Sequence, residues 1–99
     1  FKEMIKVSGY SVFPEEVETL LIRHPAVAQA AVIGLPDDTK GEVVKAFIVC
    51  KPGAVVAADE LIAWARQHLS AYKVPREVAF IDALPATGAG KVLRRLLKN

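Results

Sequence analysis

The sequence predicts an α+β domain in which helices pack on a small, three-stranded, mainly antiparallel sheet that is preceded by a β-hairpin. Three observations lead to this fold class. Segments with β-prone and with amphipathic helical patterns alternate along the chain. The connection between the two longest β-prone runs is short, which favours antiparallel pairing. The 99 residues suffice for one hydrophobic core but not for two.

The first predicted elements are a hairpin and a helix. Ile5–Val7 and residues 11–13 are β-prone pieces on either side of Ser8-Gly9-Tyr10, which is typical of a hairpin loop. A helix is expected to begin at Pro14, because proline suits the first helical turn and acidic residues follow it. The helix should end near His24, since a residue before proline avoids helical geometry.

The rest of the chain predicts three strands and two more helices. Residues 28–35 and 43–51 are the main strands, with a turn over residues 34–38 between them. A second helix is expected over residues 58–69, followed by a third strand over 77–82 and a short terminal helix over 91–98. The second helix should turn one apolar side inward: Leu61, Ile62, Ala65 and Leu69.

Composition excludes several classes of protein. Apolar runs are far shorter than the roughly 20 residues that span a bilayer, so no transmembrane segment is expected. The N-terminus FKEMIKVSGY lacks the apolar stretch of a signal peptide. The net charge is only +2, and no aromatic stacking platform is evident, which argues against a nucleic-acid partner. A single cysteine, Cys50, indicates a reducing compartment, and we expect a cytoplasmic protein.

The stretch LPATGAGKVLRR, residues 84–95, brings a glycine-rich loop to Lys91. A phosphate-binding P-loop needs a serine or threonine after its lysine, and Val92 stands there instead, so that motif is excluded. A lysine on a loop of small residues, with no acid nearby in the sequence, suits the stabilisation of anionic oxygens. Taken alone, however, the residue types favour a surface lysine in front of a helix.

Two motifs resemble those of the adenylate-forming enzymes, especially the acyl-CoA synthetases of the fatty-acid–CoA ligase type. LPATGAGKVLRR is similar to their closing motif P-x-T-x-x-G-K-I/V-x-R-R. KEMIKVSGYSVFPEEVE, residues 2–18, is similar to their hinge-and-loop motif D/K-x-M/L-I-x-x-x-G-x-x-V/I-x-P-x-E-V/I-E. Between them, HPAVAQAAVIGLPDDTKGEVVKAFIV and YKVPREVAFID follow the family pattern in the same order. The resemblance covers essentially the whole chain and identifies residues 1–99 as the C-terminal lid domain.

The resemblance implies a two-step reaction. A carboxylic acid reacts with ATP to give an acyl-adenylate and pyrophosphate, and CoA then takes the acyl group and releases AMP. A large N-terminal domain, which is absent from this chain, would be the partner that binds ATP, Mg²⁺ and the acid. A fatty acid is the expected substrate class. The small domain rotates between the steps, and the isolated fragment is expected to be inactive.

The resemblance also assigns residues to roles. Lys91 would be the catalytic adenylation lysine. Gly9 would line the pantetheine tunnel in the thioester-forming pose, with Ser8 and Tyr10 contacting CoA beside it; without the resemblance, Gly9 is interpreted as a turn residue. Lys2 would be the hinge, and the start at Phe1, without a methionine, is expected for one part of a longer protein. No metal ligands are assigned, because His24 and His68 lack ligand spacing.

Two alternatives stay open. An adenylation domain that loads a carrier protein would use the same motifs with a different thiol acceptor. A stand-alone interaction module would keep the fold without catalysis, and it would have a start codon near Phe1 and no upstream ATP-binding domain.

Overall fold

The computed structural model describes residues 4–85 and confirms the α+β class. Within these residues, five strands form one sheet, and two α-helices and a short 3-10 helix accompany it. In chain order the elements are β1 Ile5–Val7, β2 Tyr10–Val12, α1 Pro14–Ile22, β3 Val27–Asp37, β4 Gly41–Cys50, α2 Ala58–Arg66, the 3-10 helix Ala71–Lys73 and β5 Glu77–Phe80.

β4 organises the sheet. It pairs with β3 antiparallel along ten positions, from Val27↔Cys50 to Asp37↔Gly41. Because β3 occupies one side of β4, the other side is shared by β1, which meets it antiparallel at Val7↔Gly41, and by β5. The hairpin predicted at the N-terminus is therefore part of the same sheet, which has five strands in the described part of the chain instead of the predicted three.

β5 runs parallel to β4, with Glu77–Phe80 opposite residues 45–48. A parallel neighbour requires a long crossover connection, and α2 supplies it between the two strands. The sheet remains mainly antiparallel, as predicted, because β1–β2, β1–β4 and β3–β4 are all antiparallel pairs.

The core lies between the sheet and the helices. Val17 and Leu21 of α1 and Leu61 and Ala65 of α2 are fully buried. They belong to one cluster with sheet residues that include Val32, Val44, Ala46 and Ile48. Burial of these apolar side chains provides the main stabilisation of the domain.

The turn predicted over residues 34–38 is wrong for most of its length, because β3 continues to Asp37. Gly34 pairs with Val44, and Pro36 pairs with Glu42. The nitrogen of Pro36 faces the same side of β3 as that of Val32, four residues earlier. The Val32 N–H points away from β4 toward Glu18, so an N–H at position 36 would not pair with β4 either. A proline without an N–H is acceptable on such an edge strand. Only residues 38–40 form the connection.

The Glu18 carboxylate accepts a 2.8 Å hydrogen bond from the Val32 N–H at the edge of β3. Glu18→Ala leaves this partly buried donor without that acceptor, and we expect it to lower the free energy of unfolding by about 1–3 kcal/mol. Glu18→Gln keeps an acceptor oxygen and should lose much less. Urea denaturation of the chain measures both. Equal losses for the two variants would contradict a role for this hydrogen bond.

Candidate functional site

The predicted loop between β1 and β2 is a two-residue turn made by Ser8 and Gly9. Val7 pairs directly with Tyr10, so that only these two residues lie between the strands. Their φ angles are 51° and 86°. Positive φ at both central positions is the pattern of a type I′ turn, whose twist matches that of a β-hairpin.

The space above Gly9 is open. Beyond Gly9 and its two chain neighbours, no atom lies within 4 Å of a Cβ placed on Gly9, and Ser8, Gly9 and Tyr10 are all exposed. Packing therefore does not require a glycine, although the positive φ favours one. The exposed backbone leaves room for a ligand to approach the turn closely.

Two contacts hold the turn in place. The Ser8 N–H donates to the backbone carbonyl of Lys40 at 2.8 Å. On the other strand, the Tyr10 ring stacks on Tyr72 of the 3-10 helix, with the ring centroids 4.6 Å apart and the planes 22° from parallel. Tyr10 nevertheless stays 58% exposed. One side of its ring is therefore supported while most of its surface remains accessible.

Lys73, which the sequence suggested to be structural, connects the 3-10 helix to α1. Its Nζ donates to Glu16 Oε2 at 2.7 Å and lies 5.6 Å from the centre of the Tyr72 ring. The hydrogen bond that Lys73 donates to the Glu16 carboxylate holds the pKa of its ammonium above the ordinary value. Lys73 therefore stays charged at neutral pH and serves as a fixed partner of Glu16.

A cleft of about 580 Å³ opens between α2, the connection between β3 and β4, and the segment that leads into β5. Three cationic residues line it, Lys40, Arg66 and Arg76, together with one acid, Asp59. Its other lining residues are Ile62, Ala71, Val74 and Pro75. A concave surface with an excess of positive side chains is suited to an anionic ligand.

Asp37 contacts one of these cations. Its Oδ1 lies 3.8 Å from Arg76 Nη1, while Oδ2 accepts hydrogen bonds from the backbone N–H groups of Lys40 and Thr39. The Lys40 N–H, ahead of the Thr39 N–H and the Arg76 charge, holds the pKa of Asp37 below its ordinary value. This carboxylate is thus ionised at neutral pH and fixes the turn that carries Lys40 into the cleft.

Sequence reasoning missed the cleft. Lys40 and Arg66 are 26 residues apart in the sequence, and Arg66 and Arg76 are 10 residues apart. Each of them alone therefore resembles an ordinary surface charge. Pairing of β5 beside β4, together with the crossover through α2, brings them together.

The other chemically reactive side chains make contacts that are typical of a structural role. His24 accepts the Ala26 N–H through Nδ1 at 3.1 Å, and the rings of His24 and His68 lie 5.0 and 4.8 Å from that of Trp64. Cys50 is a half-buried free thiol in β4. Within residues 4–85, no three His, Cys, Asp or Glu side chains are grouped to hold a metal ion, and no helix is long and apolar enough to cross a membrane.

The proposed adenylation lysine Lys91 and the proposed hinge Lys2 lie outside the described residues, as does the terminal helix predicted over residues 91–98. Of the predicted site residues, the structure describes the three that were expected to contact CoA, Ser8, Gly9 and Tyr10, which lie together at the turn. The cleft next to the turn was not predicted.

The chain resembles known ligases in sequence and in structure. It is 47% identical over 96 residues to the long-chain-fatty-acid–CoA ligase of Bacillus subtilis, covering 97% of this chain and 17% of that protein. It is 48% identical over 93 residues to a feruloyl-CoA synthase of an Amycolatopsis species, covering 94% and 19%. The crystal structure of a Brucella canis acyl-CoA synthetase superposes with a TM-score of 0.91 at 42% identity, covering 97% and 18%.

The chain thus spans less than a fifth of the length of each of these relatives. The model of one protein family, the AMP-binding enzyme C-terminal domain, matches residues 16–91. This match covers α1 from its third residue, all of α2, strands β3 to β5 and the glycine-rich stretch up to Lys91. The resemblance drawn from the two terminal motifs is confirmed: the chain belongs to the AMP-binding enzyme C-terminal domain family.

Proposed function

We propose that this chain is the mobile C-terminal lid of an ATP-dependent acid–CoA ligase. Such an enzyme first converts a carboxylic acid and ATP to an acyl-adenylate and pyrophosphate. It then transfers the acyl group to the thiol of CoA and releases AMP. One observation carries the proposal: a cleft lined by Lys40, Arg66 and Arg76 lies next to an exposed glycine turn with open space above it. Relatives named as CoA ligases support the same class of reaction.

One face of the lid would serve thioester formation. Gly9 would let the pantetheine arm of CoA pass close to the backbone, with Ser8 and Tyr10 in contact on either side. The turn and the cleft share Lys40, whose carbonyl accepts the Ser8 N–H and which is also one of the residues lining the cleft. The nucleotide end of CoA carries a diphosphate and a 3′-phosphate. Arginine and lysine side chains bind such groups through charge-assisted hydrogen bonds.

The other face would serve adenylation through Lys91. Its ammonium would approach the substrate carboxylate and the α-phosphate of ATP, where negative charge gathers as the two react. The glycines that precede Lys91 would give its loop the freedom to enter and leave the site. The family match extends to Lys91, which supports this role.

The remaining parts of the enzyme would come from a large N-terminal domain. That domain would bind most of ATP, the acid and Mg²⁺. Lys2 would be the hinge where a few backbone dihedrals absorb the rotation between the two poses. A fatty acid is the proposed substrate class, and the cytoplasm, which supplies ATP and CoA, is the proposed location.

Reversing one charge in the cleft tests its assignment to CoA. In the full-length ligase, Arg66→Glu should raise KM for CoA about tenfold or more, the effect of losing one charge-assisted hydrogen bond. ATP–pyrophosphate exchange should stay unchanged, because it does not involve CoA. With pantetheine as the acceptor, which carries no phosphate, the variant and the wild type should behave alike.

Arg23→Glu is the matched control. Arg23 caps the C-terminus of α1 as Arg66 ends α2, and it is exposed without lining the cleft. The same charge reversal there should leave KM for CoA unchanged. Equal effects of the two substitutions, or an undiminished effect of Arg66→Glu with pantetheine, would remove the cleft from the proposal.

A further inference from the structure

The hairpin that carries Gly9 has little support from the sheet. β1 meets β4 at a single paired position, Val7↔Gly41, and β2 pairs with β1 alone among the described strands. The inward side chains of the hairpin, Ile5, Val7 and Val12, are buried in the core, but the turn itself is exposed. The position of the turn therefore depends on contacts that lie outside the strand pairing.

The Tyr10–Tyr72 stack is such a contact. Tyr10 is the first residue after the turn, and its ring lies nearly parallel to Tyr72 at 4.6 Å. An offset stack fixes both the distance and the orientation of two rings more narrowly than aliphatic packing does. Together with the hydrogen bond from Ser8 to the Lys40 carbonyl, it holds the turn from both sides.

Tyr72 is itself anchored on two sides. Its side chain packs against the hydrophobic core cluster. Its neighbour Lys73 forms the 2.7 Å ion pair with Glu16 and lies over the Tyr72 ring. A continuous series of contacts thus runs from Glu16 on α1 through Lys73 and Tyr72 to Tyr10 and the turn.

We propose that Tyr72 is a positioning residue for the thioester-forming step. Its ring holds Tyr10, and through Tyr10 it holds the Gly9 backbone beside the path of the pantetheine thiol. This inference rests on the proposed function of Gly9. It adds a role for a residue that is not among those lining the cleft.

The test compares Tyr72→Leu with Tyr72→Phe in the full-length ligase. Leucine keeps much of the apolar packing but cannot stack, whereas phenylalanine keeps the ring. Tyr72→Leu should raise KM for CoA about tenfold when preformed acyl-adenylate is the substrate, while ATP–pyrophosphate exchange stays at the wild-type rate. Tyr72→Phe should keep KM for CoA within about twofold of the wild-type value.

A double-substitution cycle with Tyr10→Leu tests whether the two rings act together. If they do, the double variant should be no worse than the more impaired single variant, because each substitution alone already removes the stack. Additive losses would overturn the inference, as would a Tyr72→Leu variant that impairs both half-reactions equally or leaves KM for CoA unchanged.

Gly9→Leu, measured in parallel, separates this inference from the proposed function. If Gly9→Leu blocks thioester formation and Tyr72→Leu has no effect, the positioning role of Tyr72 is wrong and the function of the loop stands. If Gly9→Leu has no effect either, the proposed function of the loop fails and the inference fails with it.

Discussion

Replacing Lys91 with alanine in the full-length ligase is expected to lower the rate of adenylation by roughly 10²–10³-fold, the usual loss when one group that stabilises transition-state charge is removed. Negative charge accumulates between the attacking carboxylate and the α-phosphate, and a fixed ammonium is worth most there. Transfer of the acyl group from preformed acyl-adenylate to CoA should continue at close to the wild-type rate, because Lys91 would then face away from the reaction.

ATP–pyrophosphate exchange reports the first half-reaction, and CoA added to preformed acyl-adenylate reports the second. Lys98→Ala is the matched control, because it removes the same charge from the same basic C-terminal segment. It should leave both half-reactions unchanged. If both reactions also persist in Lys91→Ala, Lys91 is a surface lysine and its assigned role is wrong.

Replacing Gly9 with leucine should have the opposite effect. A side chain at Gly9 would project into the open space above the turn, which no residue beyond its chain neighbours enters within 4 Å and which we assign to pantetheine. Thioester formation should fall at least about 100-fold, because a small displacement of the reacting thiol is enough for such a loss. Adenylation should remain near the wild-type rate.

Gly53→Leu controls for backbone strain. Gly53 has a φ of 77°, close to the 86° of Gly9, and the space above it is equally open. It lies in the turn after β4, at the opposite end of that strand from the position that pairs with β1. The same substitution there imposes a similar strain without meeting the proposed CoA path. Equal losses of thioester formation in the two variants would show that strain, and not obstruction, explains the effect.

Local sequence signals predicted the elements that depend on local chemistry. Pro14 with its following acids marks the start of α1, and the β-prone residues around Ser8-Gly9 mark the hairpin. The end of β3 was misplaced because Gly34 and Pro36 are typical turn residues. Pro36 is accepted because β3 is an edge strand, and Gly34 because the Glu42 and Ile5 side chains leave no room for a Cβ; only the assembled sheet determines both.

The candidate site likewise has one part that could be predicted from the sequence and another that could not. The turn at Gly9 could be predicted, since Ser8-Gly9-Tyr10 stands between two β-prone pieces of the sequence. The stack of Tyr10 on Tyr72 and the cleft lined by Lys40, Arg66 and Arg76 could not. They join residues that are 10 to 62 positions apart, and contacts at such separations depend on how β5 and the 3-10 helix pack after the crossover.

The central claim is that two residues at opposite ends of the chain serve different half-reactions. The most direct test measures both half-reactions, in the same preparation, for Lys91→Ala and Gly9→Leu. We expect a crossed pattern, in which Lys91→Ala loses adenylation and keeps thioester formation while Gly9→Leu does the reverse. If each variant instead lowers the rates of both half-reactions by the same factor, the domain does not present two faces. The assignment of Lys91 to adenylation and Gly9 to thioester formation is then wrong.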